Sequence, residues 1–126
     1  MALIVLSCME PVERFRAWQL AHALFLEVRT AVRKWPSEER FELSSQVRRA
    51  AWSVSANIVE GSARRGRKEF RHGLDVAYGS LAELGYGFRT ARDLGYLGRD
   101  EFELLESKRT ETSKTLWGLL ESVRDA

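Results

Sequence analysis

The chain has 126 residues, the length of one domain, and a domain of this size needs neither a disulfide nor a structural metal to hold its core. Its 20 Lys and Arg against 18 Asp and Glu give a net charge of +2, which excludes a uniformly basic surface and makes any anion-binding surface local. The single cysteine, Cys8, has no partner for an intramolecular disulfide. This favours a reducing compartment, and the cytoplasm is the expected location.

Residues 2–6 form an N-terminal apolar run, ALIVL. The run has no Lys or Arg before it and is shorter than a signal-peptide core or a membrane span, so export and membrane insertion are not expected. Residues 1–13 are predicted to be a disordered or extended leader, with Met9 as an alternative start of translation. The folded domain is predicted over residues 14–126.

Apolar residues recur at helical spacing from Phe15 onward and predict two helices before Gly61. The first ends at Trp35-Pro36, because proline disfavours helical backbone in the residue before it. Ser37 is predicted to cap the second helix, which starts near residue 38, and Gly61 to end it in a left-handed cap. The predicted buried positions are Trp18, Ala21, Leu24, Phe25, Val28, Ala31, Val32 and Trp35 in the first helix, and Leu43, Val47, Ala50, Ala51, Val54 and Ile58 in the second.

The third helix has the most regular pattern, because its apolar residues alternate by fours and threes, as in the seam of a left-handed bundle. These residues are Phe70, Leu74, Ala77, Leu81, Leu84, Phe88 and Ala91. Small residues follow the edge of this stripe at every seventh position, which predicts a close approach of another helix. They are Gly73, Ser80 and Gly87.

A fourth helix is predicted after a connector in which Gly95 ends the third helix and Asp100 caps the next. Its apolar residues are interrupted by Arg109 and Thr112, so less continuous packing is expected. They are Phe102, Leu105, Leu116, Leu119, Leu120 and Val123. Four amphipathic helices joined by short connectors predict an all-α fold, an antiparallel up-down-up-down four-helix bundle.

The densest charge cluster of the chain surrounds Gly66 and is offset locally only by Glu69. Two of its residues begin the third helix, where free N–H groups and the helix dipole favour a phosphate. The cluster is therefore a candidate nucleic-acid-binding site, and the alternative is a solvated corner between two helices. Its members are Arg64, Arg65, Arg67, Lys68 and Arg71.

Trp52 and Val59 lie off the buried stripe of the second helix and share one exposed face. An exposed aromatic beside arginine is typical of protein interfaces, so both residues are assigned to an oligomer interface. The alternative is a stacking platform for unpaired bases, in which Arg48 and Arg49 contact the phosphate backbone and join the nucleic-acid-binding set.

Three polar residues, Asn57, Glu60 and Glu83, are assigned structural roles. Near a helix end, the first two can satisfy free backbone groups or pair with a neighbouring arginine. His22 and His72 have no metal-ligand spacing around them, and no catalytic or phosphate-loop motif is present. No catalytic residue, metal or cofactor is predicted, and the chain is expected not to be an enzyme.

Several stretches resemble a family of small bacterial four-helix bundle proteins, first noticed as reading frames within intervening sequences of 23S ribosomal RNA genes. They are FRAWQLAH (15–22), FELSSQVRRAAWSVSANIVEG (41–61), KEF (68–70), GSLAEL (79–84) and LGYL (94–97). The resemblance covers nearly the whole chain after Met9. The chain departs from the common pattern at Ser55, where many members have proline.

This resemblance implies a four-helix bundle without enzymatic activity that assembles as five subunits around an axis. It also implies a relation to the bundle protein that partners the reverse transcriptase of diversity-generating retroelements and engages nucleic acid through basic surfaces. The predicted function is therefore a homopentameric scaffold that binds RNA or DNA backbone through a repeated basic patch. The alternative is a protein–protein adaptor without a nucleic-acid role.

Overall fold

The computed structural model describes residues 11–123. Within this range the chain forms four α-helices, α1 (Arg16–Val32), α2 (Leu43–Ala63), α3 (Arg67–Asp93) and α4 (Arg99–Ser122). Two short 3-10 turns at Pro11–Arg14 and Ser37–Glu39 precede α1 and α2, and no strand occurs among the described residues. The predicted all-α four-helix bundle is confirmed.

One hydrophobic core runs through the bundle, and the periodic stripes predicted for α1, α2 and α3 supply most of it. Four predicted stripe residues are only partly buried and pack against the edge of the core, namely Trp18, Phe25, Leu43 and Phe70. The largest fully buried side chains come from all four helices and include Leu24, Ile58, Phe88 and Leu116. Burial of such side chains contributes about 1.5–3 kcal/mol each relative to exposure.

Two ion pairs show that α1 and α4 lie side by side and run in opposite directions. Lys34, two residues after the end of α1, has its Nζ 3.3 Å from Glu101 Oε2 near the start of α4, while Glu27 within α1 pairs with Lys108 further along α4. The start of α4 therefore lies beside the end of α1.

Helices α2 and α3 pack closely through the small residues that the sequence placed along the edge of α3. Ser53 and Ser80 share a hydrogen bond of 2.7 Å between their hydroxyl oxygens. A Cβ built on Gly73 would lie 2.9 Å from Gly61 Cα, and one on Gly87 would lie 2.6 Å from Val47 Cγ2. The predicted close helix approach is confirmed, and it is α2 that occupies the edge of α3.

The polar residues in the middle of α4 lie inside the bundle. Thr112 is fully buried, and its Oγ1 donates to the Lys108 carbonyl at 2.8 Å. Arg109 donates from Nη1 to the Leu81 carbonyl of α3 at 3.1 Å, beside Gly85, which leaves room for the guanidinium. The two polar residues that interrupt the apolar pattern of α4 are therefore accommodated inside the bundle by hydrogen bonds to backbone carbonyls.

The predicted start of the second helix near residue 38, with Ser37 as its cap, is wrong. Residues 37–39 form a separate 3-10 turn, and α2 begins only at Leu43 because the backbone of Glu42 leaves the helical region, with φ −116° and ψ −105°. The Leu43 N–H donates to Glu39 Oε1 at 3.3 Å. Within a continuous helix that N–H would bond to the Glu39 carbonyl instead.

The same glutamate ties this connector to the one between α3 and α4. Tyr96 donates its hydroxyl to Glu39 Oε2 at 2.7 Å, and its ring centroid lies 5.9 Å from that of Trp35. The hydrogen bond to Glu39 raises the pKa of Tyr96 to about 12, because the neutral phenol is the donor that the carboxylate requires. Tyr96 therefore remains a donor at neutral pH.

Gly95 ends α3 as predicted, with a φ of +83°. The Tyr96 N–H donates to the Ala91 carbonyl at 2.8 Å and the Gly95 N–H to the Arg92 carbonyl at 3.0 Å, the two bonds of a Schellman motif. The predicted cap at Asp100 is wrong, since α4 begins at Arg99 after Gly98. Asp100 lies instead in the first turn, where a carboxylate stabilises the positive end of the helix dipole.

Only the last three residues of the predicted leader, residues 11–13, are described by the structure. Residues 1–10 of the leader lie outside the described residues. Pro11–Arg14 form a 3-10 turn in which Val12 is buried against the core, and the Phe15 N–H donates to the Val12 carbonyl at 3.0 Å. Residues 11–13 therefore pack with the domain. Burial of Val12 removes apolar surface from water and stabilises this packing.

Candidate functional site

A three-residue turn joins α2 to α3 and carries the predicted basic cluster. The predicted cap at Gly61 is wrong, because α2 continues to Ala63 and Gly61 is buried against α3. The left-handed residue is Gly66, with a φ of +89° that residues with a Cβ rarely adopt. Its carbonyl accepts the Phe70 N–H at 3.3 Å and so closes the first turn of α3.

Four cations in this turn and at the start of α3 point to solvent and are together called the basic turn: Arg64, Arg65, Arg67 and Lys68. Of these four cations, only Arg64 pairs with a carboxylate within residues 11–123, with its Nη2 lying 3.1 Å from Glu60 Oε1. The two side chains are 58% and 65% exposed, so water screens the pair and it contributes little to stability. All four cations are therefore accessible to an anion.

The structure does not bring the other predicted nucleic-acid-binding residues into the basic turn. Arg71 is half-buried and lines a groove with Asp75 and Trp117. Arg48 and Arg49 lie in the first third of α2, about 20 Å from its end at the standard helical rise. The predicted set is thus divided between the two ends of the bundle.

A groove of about 270 Å³ beside the basic turn contains two of the three residues assigned structural roles, Asn57 and Glu60. Asn57 Nδ2 donates to the carbonyl and to the hydroxyl of Ser53, at 2.8 and 2.9 Å. Glu83 is exposed further along α3 and does not line this groove. Helix α2 is continuous through Ser55, whose Oγ donates to the Trp52 carbonyl at 3.2 Å.

Trp52 and Val59 lie on one exposed face of α2, where they are 57% and 40% exposed. Arg49 lies on the same face, one turn before Trp52. The Trp52 ring meets the edge of Phe25 from α1, with ring centroids 5.4 Å apart. This contact holds an exposed indole in a defined orientation on the surface, as an interface anchor requires.

A second exposed aromatic pair, Tyr78 and Trp117, was not singled out from the sequence. The two residues come from α3 and α4, have ring centroids 5.5 Å apart and are 37% and 48% exposed. Each lies one position from a buried stripe residue, Ala77 or Leu116. An aromatic residue next to a buried position on a helix indicates partial exposure, and the sequence shows this for each residue. Only the packing of α3 on α4 brings the two rings together.

Among the described residues, no group of three or more His, Cys, Asp or Glu is placed to hold a metal ion. His22 instead stacks on Trp18, with ring centroids 4.9 Å apart, and His72 lines the groove beside the basic turn. No helix within residues 11–123 is long and apolar enough to cross a membrane.

The family model of the 23S rRNA-intervening sequence protein matches residues 13–118, which include all of α1, α2 and α3 and most of α4. The chain belongs to this family. The predicted family resemblance is therefore confirmed over most of the bundle.

A solved structure shares the bundle fold. It is a protein of unknown function from the S23 ribosomal protein family of Bacteroides thetaiotaomicron. Its TM-score is 0.78 at 22% identity, and the match covers 83% of the present chain and 95% of the other. At this identity the likeness shows the fold alone. No curated protein compared with the chain matches it.

Proposed function

We propose that this member of the 23S rRNA-intervening sequence protein family is a cytoplasmic, non-enzymatic, homo-oligomeric scaffold that binds nucleic-acid backbone through its basic turn. The exposure of four cations within five consecutive residues, with only one weak ion pair among them, is the observation that carries the proposal. Phosphate contacts by Lys and Arg supply most of sequence-independent nucleic-acid affinity.

The backbone adds to this charge. Arg67 and Lys68 occupy the first turn of α3, a helix of 27 residues. The N–H groups of a first helical turn lack intrahelical acceptors, and the helix dipole places partial positive charge there. Both effects favour a phosphate oxygen beside the same side chains that would pair with it.

Self-association completes the proposal, with a pentamer as the expected assembly. The exposed Trp52 and Val59 support it, because an exposed indole beside an aliphatic side chain is the kind of apolar surface that protein interfaces cover. A ring would present one basic turn per subunit. Several weak phosphate contacts on one strand then act together through effective concentration.

Replacing the four cations of the basic turn with alanine is expected to abolish most nucleic-acid binding. Alanine at all four positions should weaken binding of a labelled duplex by at least about tenfold at low salt, because the phosphate contacts are lost. The slope of log affinity against log salt should fall by about 3–4, at roughly 0.9 for each duplex phosphate contact. Fluorescence anisotropy across a salt series measures both quantities.

A charge-matched variant separates this site from net charge. It removes four cations elsewhere on the described surface: Arg89, Arg92, Arg99 and Lys114. It should retain most of the affinity. Equal losses in the two variants, or no binding by the native chain at low salt, would contradict a nucleic-acid role for the basic turn.

Truncation of Trp52 is expected to weaken self-association. Trp52→Ala should raise the subunit dissociation constant by about 30-fold, since an interface anchor contributes roughly 2 kcal/mol. Native mass spectrometry at falling protein concentration measures the change and the subunit number. Trp117→Ala is the matched control, because that indole is also exposed on a bundle helix. If Trp117→Ala dissociates the assembly and Trp52→Ala does not, the interface includes the α4 surface around Trp117 and not the Trp52 face of α2.

The alternative is a protein adaptor, and an acidic cleft on α4 favours it. This cleft of about 510 Å³ is lined by Glu103, Glu106 and Glu111 against one cation, Lys114, although Arg99 and Arg109 already pair with the first two carboxylates. The basic turn of one subunit could dock there on a neighbour, or an acidic partner, such as a reverse transcriptase surface, could occupy the basic turn. A pull-down from nuclease-treated lysate that retains protein but no nucleic acid would favour the adaptor.

A further inference from the structure

A second basic site lies at the opposite end of α2 from the basic turn. It is a cleft of about 530 Å³ between the end of α1, the α1–α2 connector and the start of α2. We call it the arginine cleft. The lining residues that matter here are Arg29, Arg33, Trp35, Arg40, Ser44 and Arg48.

The four guanidinium groups of the arginine cleft have no carboxylate partner within residues 11–123. Arg40 lies over the Phe41 ring, with its Cζ 5.1 Å from the ring centroid. No Asp or Glu lines the cleft. The nearby Glu39 uses its two oxygens for the Leu43 N–H and the Tyr96 hydroxyl. The cleft therefore concentrates positive charge without an internal counter-ion.

Trp35, which lines the arginine cleft, also carries an unsatisfied hydrogen-bond donor. The residue is only 6% exposed, and its buried Nε1 has no hydrogen-bond partner among the described residues. A buried N–H without an acceptor is costly, so such a group requires an explanation. Ser44, 3% exposed, lies in the first turn of α2, where free backbone N–H groups and the helix dipole also favour an anion.

The wall that holds Trp35 is fixed by contacts outside the cleft. Tyr96 packs its ring against Trp35 and donates to Glu39, which in turn accepts the first N–H of α2. The connector between α1 and α2 is thus tied to both α2 and the α3–α4 connector. Such ties hold a binding cleft in one shape before the ligand arrives, which lowers the entropic cost of binding.

We infer that the arginine cleft binds a small molecule bearing a di- or triphosphate group. Four guanidinium groups without carboxylate partners favour a ligand with several negative charges, and their planar donor forks match phosphate oxygens. The volume lies within the range of small-molecule sites. The four cations meet in one concavity, which suits a compact polyanion better than an extended strand. The inference does not rest on the proposed role of the basic turn.

Isothermal titration calorimetry of the full chain with inorganic pyrophosphate tests the inference. We expect saturable binding of one pyrophosphate per chain, at least about tenfold tighter than inorganic phosphate, because additional charged hydrogen bonds form. ATP serves as the second probe. Tighter binding of ATP than of pyrophosphate assigns part of the cleft to the nucleoside, and equal binding assigns the cleft to the phosphates alone; both outcomes support the inference.

Two charge-matched double variants locate the binding. Arg29→Gln with Arg33→Gln should weaken pyrophosphate binding by about tenfold or more, at the usual strength of charged hydrogen bonds. Arg64→Gln with Arg65→Gln removes the same charge from the basic turn and should leave pyrophosphate binding unchanged. For duplex DNA we expect the opposite: the Arg64 and Arg65 double variant should lose affinity, and the Arg29 and Arg33 double variant should keep it. The proposals for the two sites can therefore be contradicted independently.

The NMR signal of the Trp35 indole N–H reports binding in the arginine cleft independently of changes in net charge. Its N–H resonance, assigned by its loss in Trp35→Phe, should shift on pyrophosphate addition, while those of Trp52 and Trp117 should not. Trp35→Phe should weaken binding by about threefold to tenfold, the strength of one hydrogen bond. Absence of saturable binding, full affinity in the Arg29 and Arg33 double variant, or an unmoved Trp35 resonance would overturn the inference.

Discussion

Replacing Gly73 with alanine is expected to destabilise the protein by about 2–3 kcal/mol, the upper range for overpacking a well-packed interface. The new Cβ would lie 2.7 Å from the Asn57 carbonyl oxygen and 2.9 Å from Gly61 Cα. Both are backbone atoms, which cannot rotate away as a side chain can. Helix α2 would therefore have to move from α3, and the core contacts of both helices would loosen. Urea denaturation at one protein concentration measures the loss.

Gly79→Ala on the same helix is the control. Its Cβ would meet nothing within 4 Å, so only helix propensity changes, and we expect a gain of about 0.5–1 kcal/mol. The two alanines are thus predicted to act in opposite directions. A gain in stability from Gly73→Ala would show that α2 and α3 do not pack as described.

Loss of the Arg109 side chain is expected to cost about 2–3 kcal/mol, because charged hydrogen bonds in a mostly buried place are removed. Arg109 Nε donates to Glu106 Oε1 at 2.7 Å, Nη2 pairs with Oε2 of the same carboxylate, and Nη1 reaches the Leu81 carbonyl. The side chains of Arg109 and Glu106 are only 16% and 28% exposed. Arg109→Ala leaves the carboxylate without its partner and opens space above Gly85. Thermal and urea unfolding should both report the loss.

Two further variants test this account. Arg99→Ala breaks an ion pair with Glu103 in the same helix, but those side chains are 89% and 62% exposed, so the cost should stay below about 0.5 kcal/mol. Arg109→Lys keeps the charge and loses the fork that contacts Glu106 and Leu81, so it should recover only part of the stability. Equal effects at Arg99 and Arg109 would contradict a buried role for Arg109.

Glycine positions show why some helix ends could be predicted and others could not. Gly95 followed the last periodic residue of α3, and local rules for a C-cap were sufficient there. Gly61 had the same sequence context, yet it lies inside α2 because Gly73 approaches it from α3. A glycine needed for close packing and one needed for a turn look alike until the neighbouring helix is known.

The candidate sites divide in the same way. A run of cations within eight residues is visible in the sequence, so the basic turn could be found directly. The arginine cleft could not, because Arg29 and Arg48 belong to different helices and meet only when α1 folds back beside α2. The sequence predicts that Arg48 and the basic turn bind nucleic acid together, although most of the length of α2 separates them.

By itself the sequence determined the buried faces of α1, α2 and α3, the line of small residues on α3 and the local charge around Gly66. These features follow from helical periodicity and from short-range residue preferences, which need no knowledge of distant contacts. The tertiary structure alone decided that Gly61 is a packing residue, that Arg109 lies within the bundle, and that arginines of α1, α2 and their connector share one cleft. Each of these depends on which helices become neighbours, and that follows from burying all the apolar faces at once.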